Sequence, residues 1–241
     1  MRPSTTSGSK TTKEAHLLIA IDSSQSSGSI ALGTPESIVY NSGFDLRITH
    51  SESLMPAIDQ ALGFCSLRRD DLQGIVLAVG PGSFTGLRIG LSTAKGIAYG
   101  LKIPIYCYDT LVLGAYPYKG LGRQILSVVD AKMSEFYAAL YDSDLGVQSE
   151  PGICKKEDLQ EWKLDNPILV GTGAMAVADY LKQQGTAFSM PPLAQGINTA
   201  TVLLALHSRD DKPKAYDFEE LALLEPLYLR ESTAQIKRAK G

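Results

Sequence analysis

The chain has no Cys-x-x-Cys pair. Its three cysteines, Cys65, Cys107 and Cys154, are odd in number and widely spaced. That spacing excludes a zinc knuckle and a thioredoxin-type site, and it points to a reducing compartment. Small apolar core residues are one reading of them, a single reactive thiol the other. Histidine is scarce as well. His16, His50 and His207 form no H-x-x-x-H pair, so a zinc or iron site built on histidines is not written here. No G-x-S-x-G elbow is present, which leaves a hydrolase without its usual nucleophile. No apolar run is long enough to cross a bilayer. The first fourteen residues are rich in Ser and Thr and lack the apolar stretch of a secretory signal. They read as a disordered tail, and the expected location is the cytoplasm, without membrane contact. The net charge of −3 gives no bulk support for nucleic-acid binding.

What is present is an ordinary globular composition, 44% apolar and 20% charged over 241 residues. Leu17 to Ile21 is a short apolar run ending at Asp22. A polar turn and Ile30-Ala31-Leu32 follow, predicting strand, tight turn, strand. Ser37 to Ile48 is a looser third strand, with Asn41-Ser42-Gly43 as a candidate bulge. Leu54, Ile58, Leu62 and Cys65 fall on one helical face, with Ser53 as N-cap and Pro56 in the first turn. Gly74 to Val79 is a continuous apolar run, as expected of a parallel strand covered on both faces. A helix over Phe84 to Tyr99 and a strand over Ile103 to Tyr108 complete the first half.

Then the pattern begins again. Gln124 to Val129 is an apolar strand running into Asp130, and Phe136 to Tyr141 is its expected partner. Lys156 to Lys163 reads as a short charged helix, and Ile168 to Val170 as a buried strand leading into Gly171-Thr172-Gly173. Ala174 to Lys182 and Thr199 to Ser208 read as helices, the latter with Asn198 as cap. Leu227 to Leu229 is a late strand or a docked extension. The match between the two openings predicts a duplicated α/β unit. The expected partition is a tail over 1–14, one half over 15–118 and a second over 119–241, with Asp22 and Asp130 facing a common cleft.

Gly80-Pro81-Gly82-Ser83-Phe84-Thr85-Gly86-Leu87-Arg88 stands where a phosphate loop would. Its spacing fits neither G-x-x-x-x-G-K-[ST] nor G-x-G-x-x-G. Gly82, Gly86, Gly90, Ala94 and Ala98 instead recur every fourth residue, which on a helix makes one ridge of small side chains. Glycine within a helix costs about 1 kcal/mol relative to alanine, so the ridge implies close approach of another backbone. That backbone is either internal, with the 54–65 helix as the expected neighbour, or another chain. Asp22 with Ser23 and Ser24, and Asp130, are candidate acids and hydroxyls of a phosphate-handling cleft. Strand-end capping is the competing reading for both aspartates.

Several segments together resemble the TsaB (YeaZ) family. They are Ile19-Ala20-Ile21-Asp22-Ser23-Ser24, His50-Ser51-Glu52 with Leu54-Met55-Pro56, Val79 through Gly90, Val129 through Tyr137, Val170-Gly171-Thr172-Gly173 and Glu225 through Arg230. The resemblance implies a duplicated ribonuclease-H/actin-like α/β fold and a non-catalytic role in making threonylcarbamoyladenosine in tRNA. It implies TsaD as partner and catalytic subunit, the ATPase TsaE as a further member, tRNA reached through the complex, and a homodimer of the free chain. The implied partner interface comprises His50, Leu54, Ile58, Leu62, Gly82, Thr85, Gly86, Arg88, Ile89 and Gly90. The chain itself would need no cofactor, with ATP or ADP having a place only at the complex interface. The rival reading is an independent actin-fold ATPase or kinase using the cleft between the halves.

Overall fold

The computed structural model describes residues 16–34, 37–45, 54–192, 199–207 and 214–229. The expected tail, the end of the third strand, His50, and the Ser53 and Asn198 caps lie outside these residues. Strand β1 (Leu18–Asp22) alternates its side chains between two covered faces. Ile19 and Ile21 enter one core with Leu54, Ile58 and Leu62. Leu18 and Ala20 enter another with Ala200, Leu203 and Leu204. Strands β2 (Ser27–Thr34) and β3 (Ser37–Asp45) meander antiparallel beside it. Helix α1 (Leu54–Phe64) leads to β4 (Gly74–Gly80), helix α2 (Phe84–Leu101) and β5 (Ile105–Asp109), with both strands parallel to β1. The sheet order is β3-β2-β1-β4-β5.

The second sheet repeats this plan. Strands β6 (Ile125–Asp130), β7 (Phe136–Tyr141), β8 (Val147–Cys154) and β9 (Ile168–Val170) lie in the order β8-β7-β6-β9. Here too the opening strand pairs antiparallel with its successor and parallel with the fourth. This is the duplicated ribonuclease-H/actin-like arrangement. The expected 156–163 helix is a 3-10 turn over Lys156–Glu161.

Helices α3 (Thr110–Ala115), α4 (Ala174–Gln183), α5 (Thr199–His207) and α6 (Phe218–Leu223) complete the fold. The two sheets exchange their inner helices. α5 follows the second sheet in sequence but packs on the first. α3 follows the first sheet, yet its Leu111 and Ala115 pack against Ile125, Val129 and Tyr141 of the second. Leu113 of α3 turns back to the first sheet, so the helix is a wedge between the two. α4 closes the outer face of the second sheet through Val177, Ala178 and Leu181.

Three elements escape the sequence pattern. α3 is apolar all round because it is buried from both sides. β8 is an exposed edge strand interrupted by Pro151 and Gly152. α6 is only six residues long, although Asp217 caps it through the N–H groups of Glu219 and Glu220. The expected bulge at Asn41-Ser42-Gly43 is also displaced. Those residues pair regularly, and the register shifts where Gly33 faces Ile38. A side chain on Gly33 would strike Ser37 O, so the kink forms where that side chain is missing. Burial pushes the Cys107 and Cys154 thiols up to about 11, so both are protonated at neutral pH.

Candidate functional site

Asp22 ends β1 and is only 1% exposed. Its carboxylate accepts the Ser24 N–H at 2.8 Å and the hydroxyl of Thr199, the first residue of α5. Ser29 on β2 completes the joint, accepting the Ala200 N–H at 3.0 Å. Asp22 therefore acts as the clamp between the first sheet and a helix some 180 residues later in the chain (sequence separation 177). Asp22→Ala removes the acceptor of the Thr199 hydroxyl and leaves the buried Ser24 N–H without its partner. It should lower the unfolding free energy by about 2 kcal/mol. Urea denaturation followed by circular dichroism checks this, and an unchanged midpoint would contradict the clamp.

After Asp22 the chain turns across Gly86 and Gly90 of α2 and across Gly82, which lies before the Ser83 N-cap and so outside the helix on which the sequence pattern places it. Ser23 Oγ donates to Gly86 O at 2.8 Å, and the Ser83 N–H donates to Ser24 O at 2.7 Å. A Cβ on Gly82 would stand 2.2 Å from Ser24 O, one on Gly86 2.0 Å from Ser23 O, and one on Gly90 2.2 Å from Ser23 Oγ. The backbone that these glycines accommodate is thus the β1–β2 turn rather than α1. Gly86 and Gly90, buried beneath this turn, leave the implied partner surface for this reason. Leu54, Ile58 and Leu62 leave it too, because each is 3% exposed or less within the core under the first sheet. Of the implied interface, Thr85 and Arg88 are exposed and Ile89 is half-buried.

In the second sheet Asp130 ends β6 in the corresponding position. Its N–H donates to Thr172 Oγ1 at 3.2 Å, and the Thr172 hydroxyl donates to Gln25 Oε1 at 3.2 Å. This chain of bonds ties the end of β6 to Gln25 in the turn after β1. The Ser24 hydroxyl is buried there without a hydrogen-bond partner. The Asp130 carboxylate accepts both the backbone N–H and the Nζ of Lys132 at 2.8 Å. Burial raises its pKa, but the side-chain bond, the backbone bond and the charge of Lys132 outweigh that and hold it below the usual value. Lys132, Met133 and Ser134 are all left-handed, with φ of 65°, 56° and 63°, where a glycine-rich phosphate hairpin would be free of such strain.

A carboxyl depressed in the folded state stabilises the fold above its unfolded pKa, and that contribution is lost as pH falls through the folded value. Lys132→Met should therefore move the Asp130 pKa up toward the ordinary range. A carboxyl-carbon NMR titration reads the shift, and an unmoved value would mean that Lys132 does not hold the group. The pair is exposed, so its effect on stability should stay below about 1 kcal/mol.

α2 shows three faces. The ridge meets the β1–β2 turn. A second flank, through Phe84, Arg88, Lys95, Tyr99 and Lys102, meets the C-terminal segment 214–229. The third face carries Thr85, Ser92, Gly96 and Gly100, all exposed, with Ile89 and Thr93 half-buried among them. A Cβ at Gly96 or Gly100 would meet nothing within 4 Å among the described residues. No helix among the described residues is long and apolar enough to cross a membrane.

The family model described as TsaD, tRNA N6-adenosine threonylcarbamoyltransferase, matches residues 46–237. The Escherichia coli (strain K12) tRNA threonylcarbamoyladenosine biosynthesis protein TsaB is 32% identical over 184 residues, 70% of this chain and 76% of that one. Its Bacillus subtilis (strain 168) counterpart is 32% identical over 157 residues, 63% of this chain and 69% of that one. Among solved structures, YeaZ from Pseudomonas aeruginosa superimposes with a TM-score of 0.68 at 20% identity, covering 88% of this chain and 99% of that one. With the duplicated sheets, the strand-end aspartates and the glycine ridge, these likenesses establish that the chain belongs to the TsaB (YeaZ) family of TsaD-related proteins.

Proposed function

We propose that the chain is a non-catalytic subunit in threonylcarbamoyladenosine synthesis, binding a TsaD-family transferase through the third face of α2. The transferase, with TsaE as the associated ATPase, would modify the adenosine beside the anticodon. One observation carries the reading. α2 is packed on two faces and leaves the third open, with Gly96 and Gly100 exposed in the second half of the helix. Exposed helical glycine costs about 1 kcal/mol relative to alanine, and here it brings no packing among the described residues. It gains a purpose when a second helix approaches closely. Binding there would favour the transferase conformation whose active cleft is assembled. The free chain would pair with a second copy through the same face.

The bonding of the two strand-end aspartates supports the non-catalytic part of this reading. Asp22 is engaged as a clamp and Asp130 as the partner of Lys132. The test is reconstitution of tRNA modification from purified TsaD, TsaE and the carbamoyl-adenylate synthase, with and without this chain. Activity should require the chain. Full activity in its absence would overturn the proposal, as would ATP turnover by the chain alone that is abolished by Asp22→Asn.

A further inference from the structure

The C-terminal segment 214–229 forms a strap along the second flank of α2. Tyr216 lies under Lys102 Nζ at 5.1 Å, and Phe218 packs against Tyr99 with ring centroids 6.0 Å apart. Leu221 is buried in the core beneath, and Ala222 O accepts Lys95 Nζ at 3.0 Å. The strap ends where the Leu227 N–H donates to Val79 O at 2.8 Å and Tyr228 packs on Phe84 with centroids 5.0 Å apart. At that end Arg88 lies with its guanidinium carbon 3.9 Å from the Phe84 ring centroid, and its Nε donates to Tyr228 Oη at 3.2 Å.

Arg88 is exposed, and among the described residues no carboxylate pairs with it. The first turn of α2 contains no acid either. An unpaired surface arginine ordinarily samples many rotamers, and binding must freeze them. Here the ring below and the hydroxyl beside it have already fixed the plane. The terminal nitrogens are left as a preset fork, the geometry that takes a carboxylate through two parallel bonds. The partly exposed rings of Phe84 and Tyr228 flank it, apolar surface of the kind that strengthens a charged contact by excluding water. Arg88 sits at the border between the strap and the open face, one turn from Thr85 and adjacent to Ile89.

We propose that the strap is part of the partner-binding face, and that its purpose there is to hold Arg88 for a carboxylate on the TsaD-family subunit. The inference rests on the docking role given above to the open face of α2. An RNA phosphate is the less favoured occupant, because polyanion binding needs a wider positive field than a chain of net charge −3 provides.

The test measures binding of the full chain to the purified TsaD-family subunit by calorimetry at low and high salt. Arg88→Gln should weaken the complex about tenfold and flatten its salt dependence. Arg88→Lys should restore the salt dependence but only part of the affinity, since an ammonium makes no fork. Tyr228→Phe, which keeps the ring and removes the hydroxyl, should weaken binding several-fold, with an unchanged melting curve. Gly96→Arg, on the open face alone, serves as the control for the underlying reading. If it blocks the complex while Arg88→Gln binds as wild type with the same salt slope, the strap proposal is wrong and the docking face stands. If Gly96→Arg also binds as wild type, the docking face itself fails. If Arg88→Gln spares subunit assembly but weakens tRNA binding by the assembled complex, the anion is a phosphate and the carboxylate proposal is overturned.

Discussion

Gly86→Ala should lower stability by about 3 kcal/mol or prevent folding, although it adds one methyl group in a helix where alanine is the better residue. The new Cβ would stand 2.0 Å from Ser23 O and 3.3 Å from Ser23 C. Neither atom is free to withdraw. Ser23 follows directly on Asp22, whose carboxylate is tied to Ser24 and Thr199, and its own Oγ is bonded to Gly86 O. The next residue is tied as well, Ser24 O accepting the Ser83 N–H. Relief would require α2 to lift from the first sheet, parting Leu91, Ala94 and Ala98 from the core they share with Ile75 and Leu77. A domain of ordinary stability has about 5–15 kcal/mol in all, so such a loss is severe. Gly96→Ala in the same helix should do the opposite and add up to about 1 kcal/mol, because its Cβ meets nothing within 4 Å among the described residues. Urea denaturation of the two variants beside wild type separates them. A similar response from both would mean that the turn is not where the ridge packs.

The contrast between those two glycines marks what could be read from the sequence. A four-residue period identifies a face of a helix, and Gly82, Gly86 and Gly90 announce a close neighbour. It does not identify the neighbour, which here is the turn after β1, about sixty residues earlier. The strand-end positions of Asp22 and Asp130 were legible for the same reason, as apolar runs ending in an acid. Asp22's partner Thr199 was not, because α5 crosses from the second sheet to the first and no local pattern encodes a crossing. The apolar stripe Leu54, Ile58, Leu62 was legible as a stripe and misassigned as an interface. An amphipathic helix first satisfies its own core, so a partner surface must be sought on what the core leaves over. On α2 that remainder is Thr85, Ser92 and Gly96, residues too small and polar to stand out. The strap carries even less local signal. Only Asp217, followed three residues later by Glu220, marks the start of α6.

Gly96→Arg should leave the monomer folded and abolish support of tRNA modification. The position is exposed, lies within an 18-residue helix, and has open space where a side chain would begin. Arginine is a good helix former, so the free chain should be as stable as wild type or slightly more so. In the proposed complex the same position lies where a second helix approaches most closely. Helices in contact stand 8–10 Å apart according to the size of the side chains between them. A long charged side chain would have to be pushed aside or desolvated there, and a buried unpaired charge costs several kcal/mol. Each 1.4 kcal/mol is tenfold in affinity, so the complex should weaken about a hundredfold or more. The measurement is the initial rate of threonylcarbamoyladenosine formation as the variant is titrated into the other components, alongside a thermal melt of the variant alone. Loss of activity with an unchanged melt supports docking at this face. Wild-type activity at equal concentration would remove α2 from the interface, and a collapsed melt would show that Gly96 is packed after all. Gly96→Ala distinguishes contact from mere crowding. A methyl group should weaken the complex measurably if the partner backbone lies against this turn of α2, and leave it unchanged if the partner stands further off.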